Sequence, residues 1–176
     1  DRMQHVILFD FAIHWFDILG CFLGDQIPQR VTASCTRGAG QRARPPLLAQ
    51  ASVEYESAQA QLFFNGNTVA GQSDTTTIVG TKGTFKSTGS DLEKQTLTLY
   101  REGKAEKIDL AGSWFPGGFH GTMGELLSAI EVGRTSEISA ANNLRSLALC
   151  FAAVESAEQG RAIEPGSVTA LSGSAT

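Results

Sequence analysis

The chain has 176 residues, 14 of them basic and 18 acidic, with a formal charge of −4. This length suits one domain with a sizeable core, and the mild negative charge leaves no footprint for nucleic acid or an acidic membrane. No apolar run approaches a membrane span, and three scattered cysteines, Cys21, Cys35 and Cys150, fit neither a disulfide frame nor a zinc cluster; they read as packing residues in a reducing compartment, so a cytoplasmic location is expected.

The first element is a helix over Leu8–Leu23, stopped by Gly24. At about 100° per residue, Asp10, His14, Asp17 and Cys21 fall on one stripe. Ala12, Trp15, Phe16, Leu19, Phe22 and Leu23 fall on the other, which is wide enough to dock on a core. Asp10 reads as the N-cap of this helix. Val31 to Thr36 is a β-branched run. The alternation Val53, Tyr55, Ser57 and then Ala60, Leu62, Phe64 predicts half-buried strand. Asn65-Gly66-Asn67 predicts a hairpin turn whose return strand runs from Thr68 through Thr77. Thr75–Val79, Gly83–Ser87 and Gln95–Tyr100 predict further strands, and Glu102-Gly103-Lys104 turns the chain back toward Lys107–Leu110.

These connections are too short for helical crossovers, so the sheet is expected to be mainly antiparallel. Thr122-x-x-Glu125 is a capping box at or near a helix start, and Met123, Leu126, Leu127 and Ile130 continue that helix to Gly133. Ser139 caps a last helix, with Leu144, Leu147, Ala148 and Phe151 as its buried stripe and Gly160 as its stop. The fold class is α+β, with a predominantly antiparallel open-faced sheet and helices packed on one face.

Two segments carry candidate chemistry. His14 lies one turn beyond Asp10 and away from the packed stripe, and an imidazole with a carboxylate at that spacing is a proton-handling pair if substrate reaches it. The plain alternative is a hydrogen-bonded histidine beside a helix cap. A metal site drawing on His5, Asp10, His14 and Asp17 has no recognised ligand spacing, so no metal is expected. In Trp114-Phe115-Pro116-Gly117-Gly118-Phe119-His120, rings and a histidine on a Pro-Gly-Gly loop suit one wall of a sugar or polyol pocket; alternatively the rings pin the loop and His120 is solvated. Gly38-Ala39-Gly40-Gln41-Arg42-Ala43 has the form G-x-G-x-x-A, but Pro45 and Pro46 follow at once. A dinucleotide fingerprint needs a helix opening there, so no cofactor site is expected in this chain. Arg37, Arg42 and Arg44 of that loop read as solvated, with a phosphate contact as the alternative.

Taken in order, four segments resemble the C-terminal domain of the Gfo/Idh/MocA oxidoreductases, the family of glucose–fructose oxidoreductase and inositol dehydrogenase. Phe9-Asp10-Phe11-Ala12-Ile13-His14 is similar to the family's Asp-x-Gly-x-His segment, with Ala12 where Gly is usual. Ile78–Phe85 is similar to its turn between strands. Gly121–Ile130 and Asn143–Ala157 are similar to its last two helices.

The resemblance implies a glyceraldehyde-3-phosphate-dehydrogenase-like C-terminal domain. Residues 1–165 would be the substrate-binding and oligomerisation domain, without its opening segment, and residues 166–176 a tail. The Rossmann domain, which holds NAD or NADP and supplies a lysine from a Glu-Lys-Pro segment, would lie outside the chain.

The implied activity is that of an NAD(P)-dependent dehydrogenase acting on a sugar, inositol or related polyol. His14 would be the proton acceptor, Asp10 would bind substrate and orient the imidazole, and Trp114 and His120 would contact substrate. The chain alone would be inactive. The implied assembly is a homodimer or homotetramer through the polar sheet face. The alternative is a non-catalytic sugar-sensing or oligomerisation member of the same fold.

Overall fold

The computed structural model describes residues 4–171 and forms two compact units, residues 1–67 with 139–176, and residues 68–138. In the first unit a π-helical turn, Ile7–Phe11, leads into α1, Ala12–Leu23. Three strands follow, β1 Arg30–Thr36, β2 Leu48–Glu54 and β3 Gln59–Asn65, joined antiparallel in the order β1-β2-β3. The second unit holds β4 Asp74–Gly80, β5 Gly83–Gly89, β6 Gln95–Arg101 and β7 Lys104–Ile108 as an antiparallel meander, then α2, Gly117–Val132. The chain returns to the first unit in α3, Ala140–Gln159. The α+β class and the antiparallel pairing agree with the sequence. The strands, however, form two sheets instead of one.

The core of the first unit follows from strand alternation. Val31 and Ala33 of β1 pair with Val53 and Ala51 of β2, and Ala49 pairs with Phe64 of β3. All six are buried, as are Leu8, Ala12 and Phe16 from the first helix and Leu149, Cys150, Ala152, Ala153 and Val154 from α3. Small residues on the sheet and on α3 allow close approach, while Phe16 and Leu8 fill the remaining volume. The outer edge of β1 is closed by α3 and the chain after it. Val31 and Ile163 exchange backbone hydrogen bonds of 2.8 and 2.9 Å, and the Ala33 N–H donates to Ser156 Oγ at 2.9 Å. An unpaired buried N–H would be costly, so Ser156, fully buried, is a structural necessity. Val168 and Leu171, within the segment expected as a tail, pack against this core, and residues 172–176 of that segment lie outside the described residues.

Three local expectations are corrected. Asn65-Gly66-Asn67 does not turn β3 into a return strand over Thr68–Thr77: β4 begins at Asp74, in the other sheet. The Gly66 N–H donates to the Leu47 carbonyl at 2.7 Å, and a Cβ there would sit 3.1 Å from Ile7 Cδ1 and 3.3 Å from the Leu47 oxygen. Gly66 serves close packing. The Thr122-x-x-Glu125 box is interior to α2, which starts at Gly117; Thr122 Oγ1 donates to the Gly118 carbonyl at 2.9 Å. Asp10 is no N-cap, because the backbone is already helical at Val6 (φ −52°, ψ −42°) and Asp10 lies inside the π-helical turn.

The expected apolar stripes are corrected too: Leu144 of α3 is 63% exposed and Phe22 of α1 47%, and Leu149, Cys150, Ala153 and Val154 form the buried face of α3 instead, because it is this face that meets β1 and the first helix. The signals for the helix ends hold. Ser139 Oγ accepts from the Asn142 N–H, and Gly24, Gly133 and Gly160 end their helices at positive φ.

Candidate functional site

The face of the first helix divides its polar residues into two kinds. Asp17 is committed to structure: Ser146 of α3 donates its hydroxyl to Asp17 Oδ1 at 2.7 Å, and nearby Arg145 Nη2 donates to the Gly24 carbonyl at 3.1 Å. These two bonds bind α3 to the end of α1. Asp10 and His14 are exposed and make no hydrogen bond or ion pair among the described residues, with each other or with anything else. All three residues are exposed, but the expected stripe splits in its bonding, with Asp10 and His14 unbonded among the described residues and Asp17 tied to α3.

Beside the pair stands an aromatic cluster. Phe11 stacks on Trp15 with ring centroids 4.5 Å apart, and both meet Phe64 of β3 edge-on, at 5.7 and 5.9 Å. The His14 ring lies edge-on to Trp15 at 6.3 Å. Phe11 is 44% exposed. The cluster is therefore a partly open apolar surface next to a free imidazole and a free carboxylate. A carboxylate accepts hydrogen bonds from hydroxyl groups, and a ring nitrogen can take or return a proton. A rigid apolar floor beside them suits the C–H faces of a polyol.

A π-helical turn is uncommon and is frequently found at functional sites; here it carries Asp10. Nothing in the residue pattern announced it, since its five residues also fit an α-helix. His5, just before the turn, is bound elsewhere. Its Nε2 lies 2.9 Å from Glu158 Oε1 of α3, and its Nδ1 is buried without a partner. His5 therefore stands apart from Asp10 and His14 in its bonding, and no group of three or more His, Cys, Asp or Glu among the described residues could hold a metal.

Trp114 and His120 belong to the second unit. His120 is not on a loop: its N–H donates to the Pro116 carbonyl at 3.0 Å within the first turn of α2. Trp114 is 42% exposed and meets Phe115 at 6.0 Å, and Phe115 meets Phe119 at 5.1 Å. These rings are an exposed cluster in their own right and do not pin the segment into a core. The peptide bond between Phe115 and Pro116 is cis.

The G-x-G-x-x-A segment is the connection between β1 and β2, with a turn at Ala39-Gly40 and no helix after it. Without a helix N-terminus behind the glycines, it lacks the geometry that seats a pyrophosphate. The residues present do not fit a dinucleotide.

Residues 1–86 match the family model described as the GFO/IDH/MocA C-terminal domain. Among solved structures, an oxidoreductase from Agrobacterium radiobacter in complex with NAD+, L-tartaric acid and magnesium is 22% identical, with a TM-score of 0.77 over 93% of this chain and 50% of that one. The aldose-aldose oxidoreductase from Caulobacter crescentus complexed with glycerol gives 18% and 0.72, over 89% and 47%. The WlbA dehydrogenase from Bordetella pertussis in complex with NADH and UDP-GlcNAcA gives 20% and 0.63, over 87% and 43%. The chain thus spans about half the length of these structures, and at such identities the likeness is one of fold. No curated protein sequence matches the chain.

Proposed function

With the GFO/IDH/MocA C-terminal domain matched over residues 1–86, we infer that this chain is the substrate-binding part of an NAD(P)-dependent oxidoreductase acting on a sugar, inositol or related polyol. The observation that carries the reading is the free pair: Asp10 and His14 stay exposed and unpartnered on a helix whose other acid, Asp17, is used for packing. Asp10 accepts hydrogen bonds from substrate hydroxyls and sets the substrate against His14. His14 takes the proton of the reacting hydroxyl at a ring nitrogen. The Phe11–Trp15 surface supplies the apolar contact. The dinucleotide, NAD or NADP, has no seat among these residues. Its binding is assigned to a domain outside them, and the chain alone is expected to be inactive.

Support for a small polar substrate comes from the relatives, whose structures contain tartaric acid, glycerol or a sugar nucleotide. The open face of the β1–β3 sheet is assigned to self-association as a dimer or tetramer. It forms a shallow trough of about 610 Å³ lined by Thr32, Ser34, Gln50, Ser52, Gln61 and Phe63. Phe63 is 72% exposed there, an apolar side chain that a partner sheet would cover. No helix among the described residues is long and apolar enough to cross a membrane. Its free, unpaired cysteines suit the reducing cytoplasm.

The test is turnover of polyols by the intact protein with His14→Ala or Asp10→Asn. Loss of rate with retained fold supports the reading. Unchanged rates in both variants overturn the catalytic assignment and leave a binding or sensing role for the same fold.

A further inference from the structure

The connection between β1 and β2 is braced far more heavily than a plain surface loop requires. Gln41 is buried at 8% exposure, and its side-chain amide is fully used. Its Oε1 accepts from the backbone N–H groups of Gly38 and Leu47, both at 3.2 Å. Its Nε2 donates to the carbonyls of Ala43 at 2.7 Å and Pro45 at 2.6 Å. Arg37 adds a second clasp, with Nη2 donating to the carbonyls of Gln41 and Ala43, both at 3.2 Å. Gly38 admits the Asn67 side chain, which would stand 2.7 Å from any Cβ placed there.

These bonds spend one arginine of the loop and leave two. Arg42 and Arg44 flank Ala43, whose carbonyl is held by both clasps. Both are exposed, and neither has a hydrogen bond or ion pair among the described residues. By contrast Arg30 and Arg134 are paired with Glu54 and Glu125, and Arg161 donates to Gln159. Lys82, Lys86, Arg101, Lys104 and Lys107 are likewise exposed and unpaired among the described residues. Arg42 and Arg44 differ in standing one residue apart on a backbone whose carbonyls on either side, those of Gln41, Ala43 and Pro45, are held by side chains. A guanidinium presents a planar fork that binds phosphate oxygens in pairs, and two forks one residue apart suit a tetrahedral dianion better than a single carboxylate. A pre-set backbone lowers the entropy lost on binding.

We propose that the Gln41-braced loop is a binding site for a phosphate monoester group, recognised by Arg42 and Arg44. The site is independent of Asp10 and His14, and it does not rest on the oxidoreductase reading. The group could be free phosphate or one borne on a small metabolite such as a hexose phosphate, and the two sources are separable by experiment.

The test follows backbone amide shifts of the whole chain during titration, at low ionic strength, with inorganic phosphate, glucose 6-phosphate or glucose. Saturable shifts confined to Gln41–Leu47 are expected with both phosphates and not with glucose, with a dissociation constant on the order of 1 mM. Tighter binding of glucose 6-phosphate assigns the group to a sugar; equal binding assigns it to the free ion. The Arg42→Ala, Arg44→Ala double variant should bind at least ten times more weakly. Gln41→Leu, which keeps both charges but frees the loop, should weaken binding severalfold. Absence of saturation, or equal saturation in the arginine double variant, overturns the proposal.

Discussion

The two units treat their apolar residues in opposite ways. In the first, Leu8, Phe16, Val31, Val53 and Val154 are at most 1% exposed, and helix, strand and helix interlock around them. In the second, the largest apolar side chains face outward: Phe119 of α2 is 61% exposed, Leu127 66% and Ile130 68%, all on one stripe of the helix, and Val79 of β4 is 77% exposed. The first unit therefore draws its stability from a dense core. The second rests on strand pairing and on local clasps such as Glu125 with Arg134. Its apolar helical stripe adds little in this chain. Apolar residues recur at helical spacing in both units, yet they build a core in one and an exposed surface in the other.

The sharpest way to break this contrast is to truncate one large residue in each unit. Phe16→Ala should cost about 3–5 kcal/mol, the range for a buried aromatic. Leu127→Ala should change stability by no more than about 0.5 kcal/mol, as for an exposed site. Urea unfolding of both variants checks this, and equal losses would erase the distinction. Next in size is Ser156→Ala, which leaves the Ala33 N–H at the edge of β1 without its acceptor. It should cost about 1–3 kcal/mol in the same measurement, with Ser156→Thr recovering part of the loss if the hydroxyl is what matters.

How much of this was readable beforehand depends on where information is local. Ser139, Gly24, Gly133 and Gly160 marked helix ends because capping is settled within one turn. Glu102-Gly103 marked the β6–β7 turn because both residues adopt positive φ there, 51° and 71°. Gly66 misled, since a glycine needed for contact with Ile7 and Leu47 looks the same in sequence as one needed for a turn. The break into two sheets after Asn67 was invisible for a related reason: alternation of period two continues on both sides of it. Asp10 failed as a cap because the chain enters the helix earlier, yet the exposure of Asp10 and His14 was legible from their positions off the packed stripe. The commitment of Asp17 to Ser146 could not be foreseen, because it joins helices far apart in the chain.

A smaller effect concerns pH. Bonds from Arg134 above all, then from the Glu137 N–H and Ser136, hold the Glu125 carboxyl down to about 2, against an ordinary value of 4.5. A depressed carboxyl contributes stability above its unfolded value and loses it as pH falls toward the folded one. The clasp at the end of α2 should therefore be intact above pH 4.5 and released between 4.5 and about 2. A carboxyl-carbon titration of Glu125 checks this, and a midpoint at the ordinary value would show the clasp is not formed in solution.

Smallest in energy, and simplest to measure, is thiol reactivity. Burial pushes Cys150 up to about 12 and Cys35 up to about 11, while Cys21 is exposed. Since thiolate is the reactive form, iodoacetamide at neutral pH should label Cys21 first and reach the other two only on unfolding.

The central claim is that His14 is a working base and not a surface ornament of α1. Its most direct test is the rate of polyol oxidation by the intact protein carrying His14→Ala, with folding checked by urea unfolding. The rate should fall by on the order of 10²–10⁴ while stability stays within about 0.5 kcal/mol, since no buried contact is lost. A variant that is less stable but whose folded fraction turns over at the normal rate would contradict the claim.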